Sequence, residues 1–279
     1  GFQDITQNTV AKDPESSNGQ SNSNAVANGP TEYRAIFKCG DDLRQDQLIC
    51  NLFRLFDMCN LRYGLNANVT NYNVVATSAS TGWVELIGGC VTLENIVHDY
   101  NRSIKEYLVK SKVSDKALNT AMQRLLRSSA AYCMMSFFLE IGDRHMENIL
   151  VCKDGHLAHI DFGYIFGKDP KLWQPRIKLT SEMVNAMGGE KSSGYVHFLE
   201  YCSEFTWILR KQAMEYKWLV DVMAGAGLES YTEKNDTGYN VMMLIGNPLN
   251  KCDEEEAEDS IVQLMASSHR AVMGLLNDK

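Results

Sequence analysis

The stretch that decides the fold of this chain reads Gly142-Asp143-Arg144-His145-Met146-Glu147-Asn148 and continues, after a strand-like run, with His159-Ile160-Asp161-Phe162-Gly163. An Asp and an Asn stand five positions apart, and a second Asp follows the Asn by 13 residues in a D-F-G turn. Transfer of a γ-phosphoryl group depends on positioning and on Mg²⁺, and Asn148 and Asp161 carry the oxygen donors that Mg²⁺ prefers. Either Asp143 or His145 could take the proton of an incoming hydroxyl. The pattern therefore predicts a phosphoryl-transfer site.

The bulk composition limits the classes of partner. The chain has 279 residues, 44% of them hydrophobic, which is enough for a sizeable core and for two lobes. A formal net charge of −8 does not support a general basic surface for nucleic acid or for an anionic membrane. The longest apolar run, 130–139, is too short to cross a bilayer and predicts a buried core helix. We therefore expect no nucleic-acid partner and no transmembrane segment, so that any membrane contact is peripheral.

The eight cysteines form no C-x-x-C pair, and most of them lie within apolar runs. This pattern is typical of reduced, buried thiols in a cytoplasmic protein rather than of a disulfide framework or a zinc site. No signal peptide is visible.

Local patterns divide the chain into three parts. Residues 1–32 are rich in Asn and Ser and predict a polar, flexible linker or insertion. Residues 33–87 predict a small lobe of strands around one helix, and residues 88–279 predict a helical lobe with one β-hairpin. The Asp154-Gly155 turn of that hairpin should bring Asn148 and Asp161 to one cleft. The predicted strands are 33–38, 72–77, 83–87, 149–152 and 157–160, and the predicted helices are 43–59, 96–108, 118–139, 181–187, 198–223 and 254–276.

The order of the catalytic loop indicates a family. Protein kinases place H-R-D before the Asn, whereas this loop reads D-R-H and is followed by H-I-D-F-G-Y. That order resembles the phosphatidylinositol 3-/4-kinase superfamily, which includes large related protein kinases. The resemblance implies an α+β, two-lobed protein-kinase-like fold, with a small antiparallel-sheet N-lobe, incomplete here, and a larger, mostly helical C-lobe. The alternative is that D-x-x-x-x-N and D-F-G both occur by chance. Their order and spacing argue against this alternative.

The run Phe37-Lys38-Cys39-Gly40-Asp41-Asp42-Leu43-Arg44-Gln45-Asp46 is similar to the strand-to-helix signature of the same family. The resemblance implies that Lys38 contacts the α-phosphate of ATP and that Asp46 orients this lysine. An ammonium group beneath the nucleotide offsets phosphate charge. Lys38 could also be an ordinary solvated lysine at a strand end.

Three further residues would surround the adenine by resemblance. Tyr72 resembles the tyrosine at the back of the adenine pocket, although a core tyrosine is an equal alternative. Glu85 and Ile87 lie where the family has the hinge between lobes, and their backbone groups would bond adenine.

The loop after D-F-G indicates the substrate class. Tyr-Ile-x-Gly-Lys-Asp-Pro-Lys at 164–171 and Leu-Thr-Ser-Glu-Met-Val at 179–184 resemble class III phosphatidylinositol 3-kinases, the vacuolar-sorting type. Four cations and Asp169 give this loop a net charge of +3, which suits an anionic phospholipid headgroup. The loop lacks the longer basic stretch of class I members, which favours unphosphorylated phosphatidylinositol. Ordinary solvated loop charges remain the alternative. The candidate headgroup residues are Lys168, Lys171, Arg176 and Lys178.

The base of the reaction is assigned by resemblance. His145 is the leading candidate for the general base, while Asp143 orients the loop or shares the proton transfer, and the sequence does not rank the two. Arg144 is expected to anchor the loop by hydrogen bonds. His159, before the D-F-G, is expected to be structural.

The resemblance implies transfer of the ATP γ-phosphate to the 3-hydroxyl of phosphatidylinositol, with Mg²⁺ or Mn²⁺ as cofactor. It also implies a regulatory scaffold subunit and a cytoplasmic protein on endosomal or autophagic membranes. The alternatives are a phosphatidylinositol 4-kinase, a related large protein kinase, and a non-catalytic module that docks a scaffold.

Two departures from the family pattern concern the ends of the sequence. The paired strands and phosphate-covering loop expected before Lys38 are not recognisable, and no aromatic amphipathic helix follows residue 276. We therefore expect either a fragment or a parent protein that diverges from the family at these points.

Overall fold

The computed structural model describes residues 34–111, 114–170 and 177–228, together with 256, 259–263 and 265–267. This part of the chain is mixed α+β and mostly helical, with two three-stranded antiparallel sheets. The predicted α+β class is therefore confirmed. The predicted linker 1–32 and the headgroup candidates Lys171 and Arg176 lie outside the described residues.

The first sheet lies directly on the first helix. It contains β1 (Ala35–Cys39), β2 (Val74–Ala76) and β3 (Thr81–Glu85), with β3 in the middle, and the helix is α1 (Arg44–Arg62). Lys38 stands opposite Gly82 in the β1–β3 register. A Cβ at Gly82 would lie 2.6 Å from the Val75 carbonyl oxygen and 2.8 Å from Leu43 Cδ1. The glycine therefore permits the close contact between the sheet and the start of α1.

Other helices within the described residues are α2 (Leu93–Asp99), α3 (Ile104–Lys110), α4 (Asp115–Phe138), α5 (Ser181–Ala186), α6 (Ser193–Lys211) and α7 (Ala213–Met223). The predicted helix 96–108 is wrong, because Asn101 and Arg102 adopt left-handed φ angles of 50° and 60° between α2 and α3. The Ser103 side chain then caps α3 by accepting a hydrogen bond from the Glu106 amide. The predicted helix 198–223 is also wrong, because the chain turns at Gln212 into α7, which contacts α1.

The long helix α4 confirms the prediction of a buried core helix. Every residue from Ser128 to Phe138 is buried, and the helix contacts α6 and the second sheet. Its last turn leads directly into the D-R-H loop, so the core of the protein supports that loop. Within the described residues, no helix combines the length and hydrophobicity needed to cross a membrane.

The second sheet contains the predicted hairpin. Its strands are β4 (Cys90–Thr92), β5 (Ile149–Cys152) and β6 (Leu157–His159), with β5 in the middle. The turn contains Gly155 at a φ of +96°, and a Cβ there would lie 2.1 Å from the Ala121 carbonyl oxygen on α4. The hairpin is therefore held against α4. Strand β4 was not predicted, because three residues are too few to show an alternating pattern.

The prediction that the cysteines are reduced thiols is wrong for one pair. Cys90 and Cys152 are directly opposite each other across β4 and β5 and form a disulfide. Since 62 residues separate them, only the strand register reveals the pair. The free, buried cysteines among the described residues are Cys50, Cys59, Cys133 and Cys202.

Candidate active site

The catalytic loop occupies the connection between α4 and β5. It passes through Glu140 and Asp143, whose φ angles are 46° and 49°, and ends in a 3₁₀ turn at Met146–Asn148. Asp161 of the D-F-G has a φ of 60°. Such backbone conformations of non-glycine residues cost on the order of 1–3 kcal/mol each and persist only where the surroundings hold them. Three residues with strained backbone conformations therefore lie in the predicted site.

Arg144 supplies much of that support. Its buried guanidinium donates hydrogen bonds to the carbonyl oxygens of Gly142 at 2.9 Å and Ile160 at 2.7 Å, and to that of Asp161. It also lies over the ring of Phe162, 5.3 Å from the ring centre. Burial lowers the pKa of Arg144, and the nearby Asp161 and Asp143 carboxylates oppose this shift. The side chain thus joins the D-R-H loop to the D-F-G segment.

The two metal-ligand candidates meet at the mouth of the hairpin. The Ile160 amide donates to the Asn148 carbonyl oxygen at 3.1 Å, which places Asp161 beside Asn148. The Asn148 Nδ2 donates to the Asp143 carbonyl oxygen at 3.0 Å, so its Oδ1 is the atom left for a cation. The described residues contain no cluster of three or more His, Cys, Asp or Glu side chains suited to a metal. One carboxylate and one amide oxygen fit Mg²⁺, which takes its other ligands from substrate phosphates and water.

His145 lies between two carboxylates. Its Nε2 is 3.7 Å from Asp143 Oδ2, and its Nδ1 is 3.7 Å from Glu147 Oε2. The imidazole is partly exposed, so a substrate hydroxyl could reach it. The arrangement can therefore take up a proton on His145, with Asp143 on the adjacent side.

In the structure, Asp46 and the lysine that it was expected to orient, Lys38, have different partners. Lys38 Nζ forms its ion pair with Asp41 at 3.3 Å. Asp46 is instead directed to the D-F-G, where its Oδ1 accepts a hydrogen bond from the Phe162 amide at 3.0 Å. Burial raises the pKa of Asp46 to about 6, with nearby Asp161 adding to the shift and Lys38 opposing it. Asp46 therefore forms no ion pair with Lys38, and its hydrogen bond is made to the D-F-G instead.

Tyr72, Glu85 and Ile87, the candidates for adenine binding, lie in different surroundings. Tyr72 is buried beside Phe162, and burial raises the pKa of its hydroxyl. The Glu85 amide donates to the Asn73 carbonyl oxygen at 2.8 Å. Because that donor is already used, any backbone hydrogen bond between Glu85 and adenine would be one that the Glu85 carbonyl oxygen accepts. Ile87 is partly buried against the core.

The basic loop begins on the catalytic loop. The Gly142 amide donates to the Tyr164 carbonyl oxygen at 2.9 Å, and the Phe166 amide donates to the Leu139 carbonyl oxygen at 3.0 Å. Lys168, which follows directly, and Lys178 are partly buried. The other two headgroup candidates, Lys171 and Arg176, lie outside the described residues.

Gln45 is a site residue that the sequence reasoning missed. Its buried Nε2 donates to the Phe162 carbonyl oxygen at 2.7 Å. Together with Asp46, it holds both backbone groups of Phe162 from the first turn of α1. Its position next to Asp46 in the strand-to-helix run was the available signal. The contact itself spans 117 residues and could not be read from local pattern.

Comparison with known proteins identifies the family of the chain. Residues 32–232 match the family model described as phosphatidylinositol 3- and 4-kinase. This match covers more than half of the chain, and the chain therefore belongs to the phosphatidylinositol 3- and 4-kinase family.

Curated relatives are similar over most of this chain. Phosphatidylinositol 3-kinase pik3 of Schizosaccharomyces pombe is 39% identical over 206 residues, which is 71% of this chain and 26% of that protein. Phosphatidylinositol 3-kinase catalytic subunit type 3 of Caenorhabditis elegans is 34% identical over 267 residues, 93% of this chain and 29% of that protein. Phosphatidylinositol 3-kinase VPS34 of Saccharomyces cerevisiae is 38% identical over 186 residues, 65% and 21% respectively. The chain thus spans less than a third of the length of these relatives.

Proposed function

We propose that this chain carries the catalytic domain of a phosphatidylinositol 3-kinase of the class III type. The reaction is ATP + phosphatidylinositol → ADP + phosphatidylinositol 3-phosphate. The observation that carries the proposal is the meeting of Asn148 and Asp161 at one hairpin mouth, beside a D-R-H loop. The relatives named phosphatidylinositol 3-kinases support the 3-position over the 4-position.

The proposed architecture is a two-lobed kinase fold. Residues 33–87 would form the N-lobe and residues 88–279 the C-lobe, with ATP between them. Support comes from the position of α1, which packs under the first sheet and reaches the D-F-G through Gln45 and Asp46. The N-lobe thereby contacts the metal-binding segment of the C-lobe directly.

The proposed nucleotide-binding residues contact different parts of ATP. Lys38 faces the α-phosphate, the Glu85 carbonyl oxygen and the Ile87 backbone bond adenine, and Tyr72 closes the back of the pocket. Asn148 Oδ1 and the Asp161 carboxylate would hold Mg²⁺ or Mn²⁺. When bound, the cation neutralises charge that develops on the transferred phosphoryl group.

The D-R-H loop supplies proton transfer. The 3-hydroxyl oxygen of the inositol attacks the γ-phosphorus as its proton passes to His145, and ADP leaves with the electrons of the broken P–O bond. Asp143 stabilises the imidazolium that forms. Arg144 contacts no reacting atom in this scheme, because its guanidinium is committed to three backbone carbonyl oxygens.

The basic loop would bind the lipid headgroup. Lys168 and Lys178, together with Lys171 and Arg176, offer cations to the phosphodiester of phosphatidylinositol. We propose that the protein acts as a peripheral enzyme on endosomal or autophagic membranes, with a regulatory scaffold subunit. A cytoplasmic location accords with that arrangement.

The test compares the full-length protein with its Asp161→Asn variant on phosphatidylinositol vesicles with Mg²⁺ and labelled ATP. We expect at least about a 100-fold loss of lipid phosphorylation, because several kcal/mol of charge stabilisation depend on the metal ligand. The exposed Asp99 at the end of α2 provides the matched control, Asp99→Asn, which should keep full activity. Unchanged activity in Asp161→Asn, with a melting temperature equal to that of the wild type, would remove Asp161 from the metal site. Phosphorylation of peptides but not of lipid would favour a related protein kinase.

A further inference from the structure

The start of the basic loop is hydrogen-bonded along the catalytic loop. Besides the two backbone bonds that join 139–142 to 164–166, the Gly167 amide donates to the Glu140 carbonyl oxygen at 3.1 Å. Both segments contain left-handed residues, including Glu140 and Phe166. Two irregular segments thus support each other through backbone bonds.

Gly142 shows how closely the segments approach. A Cβ at Gly142 would lie 2.2 Å from the Lys168 carbonyl oxygen and 3.0 Å from Asp169 Oδ2. Only glycine therefore leaves room for residues 168 and 169 at this point of the loop. Asp169 lies directly against the D-R-H loop as a result.

The Asp169 carboxylate makes a specific contact there. Its Oδ2 accepts a hydrogen bond from the Asp143 amide at 3.1 Å, at the residue whose φ is 49°. A carboxylate is a stronger acceptor than a neutral group for a backbone N–H. Pro170 follows and restricts the backbone of Asp169 to extended conformations, which favours a fixed position of the carboxylate. The single anion of the basic loop is therefore directed inward, to the catalytic loop.

We propose that Asp169 is a positioning residue, which holds Asp143 and His145 in their reactive arrangement through the Asp143 amide and fixes the beginning of the headgroup loop to the same backbone. The inference rests on the proposed lipid kinase function. In this inference Asp169 supports turnover by positioning the catalytic loop, and it does more than lower the positive charge of the basic loop.

Three substitutions separate position from charge. Asp169→Asn keeps an oxygen acceptor in the same place without the charge, whereas Asp169→Glu keeps the charge but displaces it by one methylene. Asp169→Ala removes both. The exposed Asp99→Ala is the control for the loss of an anion.

The full-length protein is assayed for kcat and for the KM values of ATP and phosphatidylinositol, and its melting temperature is recorded. We expect Asp169→Ala to lower kcat by roughly 10- to 100-fold, the range for a lost charge-assisted hydrogen bond, with the KM of ATP within about twofold of the wild type. Asp169→Asn should retain most of the activity, and Asp169→Glu should resemble Asp169→Ala. If Asp169→Ala does not fold, the contrast between Asn and Glu still decides the question.

Two results would overturn the inference. One is a wild-type kcat in Asp169→Ala. The other is equal behaviour of the Asn and Ala variants with a change only in the KM of the lipid, which would mean that Asp169 acts through loop charge. A wild-type protein that makes no lipid product would instead refute the proposed function, so the two failures are distinguishable.

Discussion

The Asp46 carboxylate should make the free energy of unfolding depend on pH, and the size of that effect can be worked out. Burial of this carboxylate raises its pKa to about 6, from an ordinary value near 3.8. Between these values the folded protein binds more protons than the unfolded chain, so the free energy of unfolding falls as pH rises through this window. Above it, the ionised carboxylate destabilises the fold by roughly 3 kcal/mol, since one pKa unit corresponds to about 1.4 kcal/mol. The Asp46→Asn variant removes that charge and keeps an oxygen for the Phe162 amide.

We therefore expect Asp46→Asn to be more stable than the wild type by up to about 3 kcal/mol at pH 7.5, and by roughly half of that at pH 5. Urea unfolding of the nucleotide-free protein at both pH values measures the difference, with Asp99→Asn as the exposed control. Turnover should fall at the same time, because the negative charge near Lys38 is lost. A variant that is less stable at pH 7.5, or a stability difference that does not change with pH, would refute the reasoning.

Two other predictions concern contacts outside the D-R-H loop. The buried Glu182 forms an ion pair with the half-exposed Arg102, so Arg102→Met should lower the free energy of unfolding by about 2–3 kcal/mol, towards the weak end for a broken buried pair. Addition of Glu182→Gln should recover most of that loss in urea unfolding, and additive losses would argue against the pair. The Cys90–Cys152 disulfide should appear as one linked peptide when protein purified without reductant is digested and mapped by mass spectrometry. Complete alkylation of both thiols in unreduced, denatured protein would rule the disulfide out.

The sequence predicted those parts of the fold that local signals encode. The apolar run that ends α4 and the Asp154-Gly155 turn are contiguous features, and both have the predicted structure. The break between α2 and α3 had a local signal that was missed, because Ser103 and Glu106 have the spacing of a capping box. Asn101 carries a further, weak signal, since Asn adopts the left-handed conformation more readily than most residues, whereas Arg102 carries none.

In the site, too, contacts close in sequence could be predicted, whereas contacts distant in sequence could not. Motif spacing predicted that Asn148 and Asp161 would lie together, and they do, because a hairpin joins them within 13 residues. The partners of Asp46 and Asp169 depend on tertiary contacts, 116 and 26 residues away, which no local pattern specifies. Lys38 was expected to meet Asp46 by resemblance, and its ion pair is formed by Asp41, three residues away.

The position of the transferred phosphate tests the central claim most directly. The full-length protein is incubated with Mg²⁺-ATP and phosphatidylinositol vesicles, and the lipid product is deacylated and compared by chromatography with 3- and 4-phosphate standards. The account predicts phosphatidylinositol 3-phosphate alone, formed by the wild type and by Asp99→Asn but not by Asp161→Asn. A 4-phosphate product, or a 3-phosphate formed equally well without the Asp161 carboxylate, would contradict it.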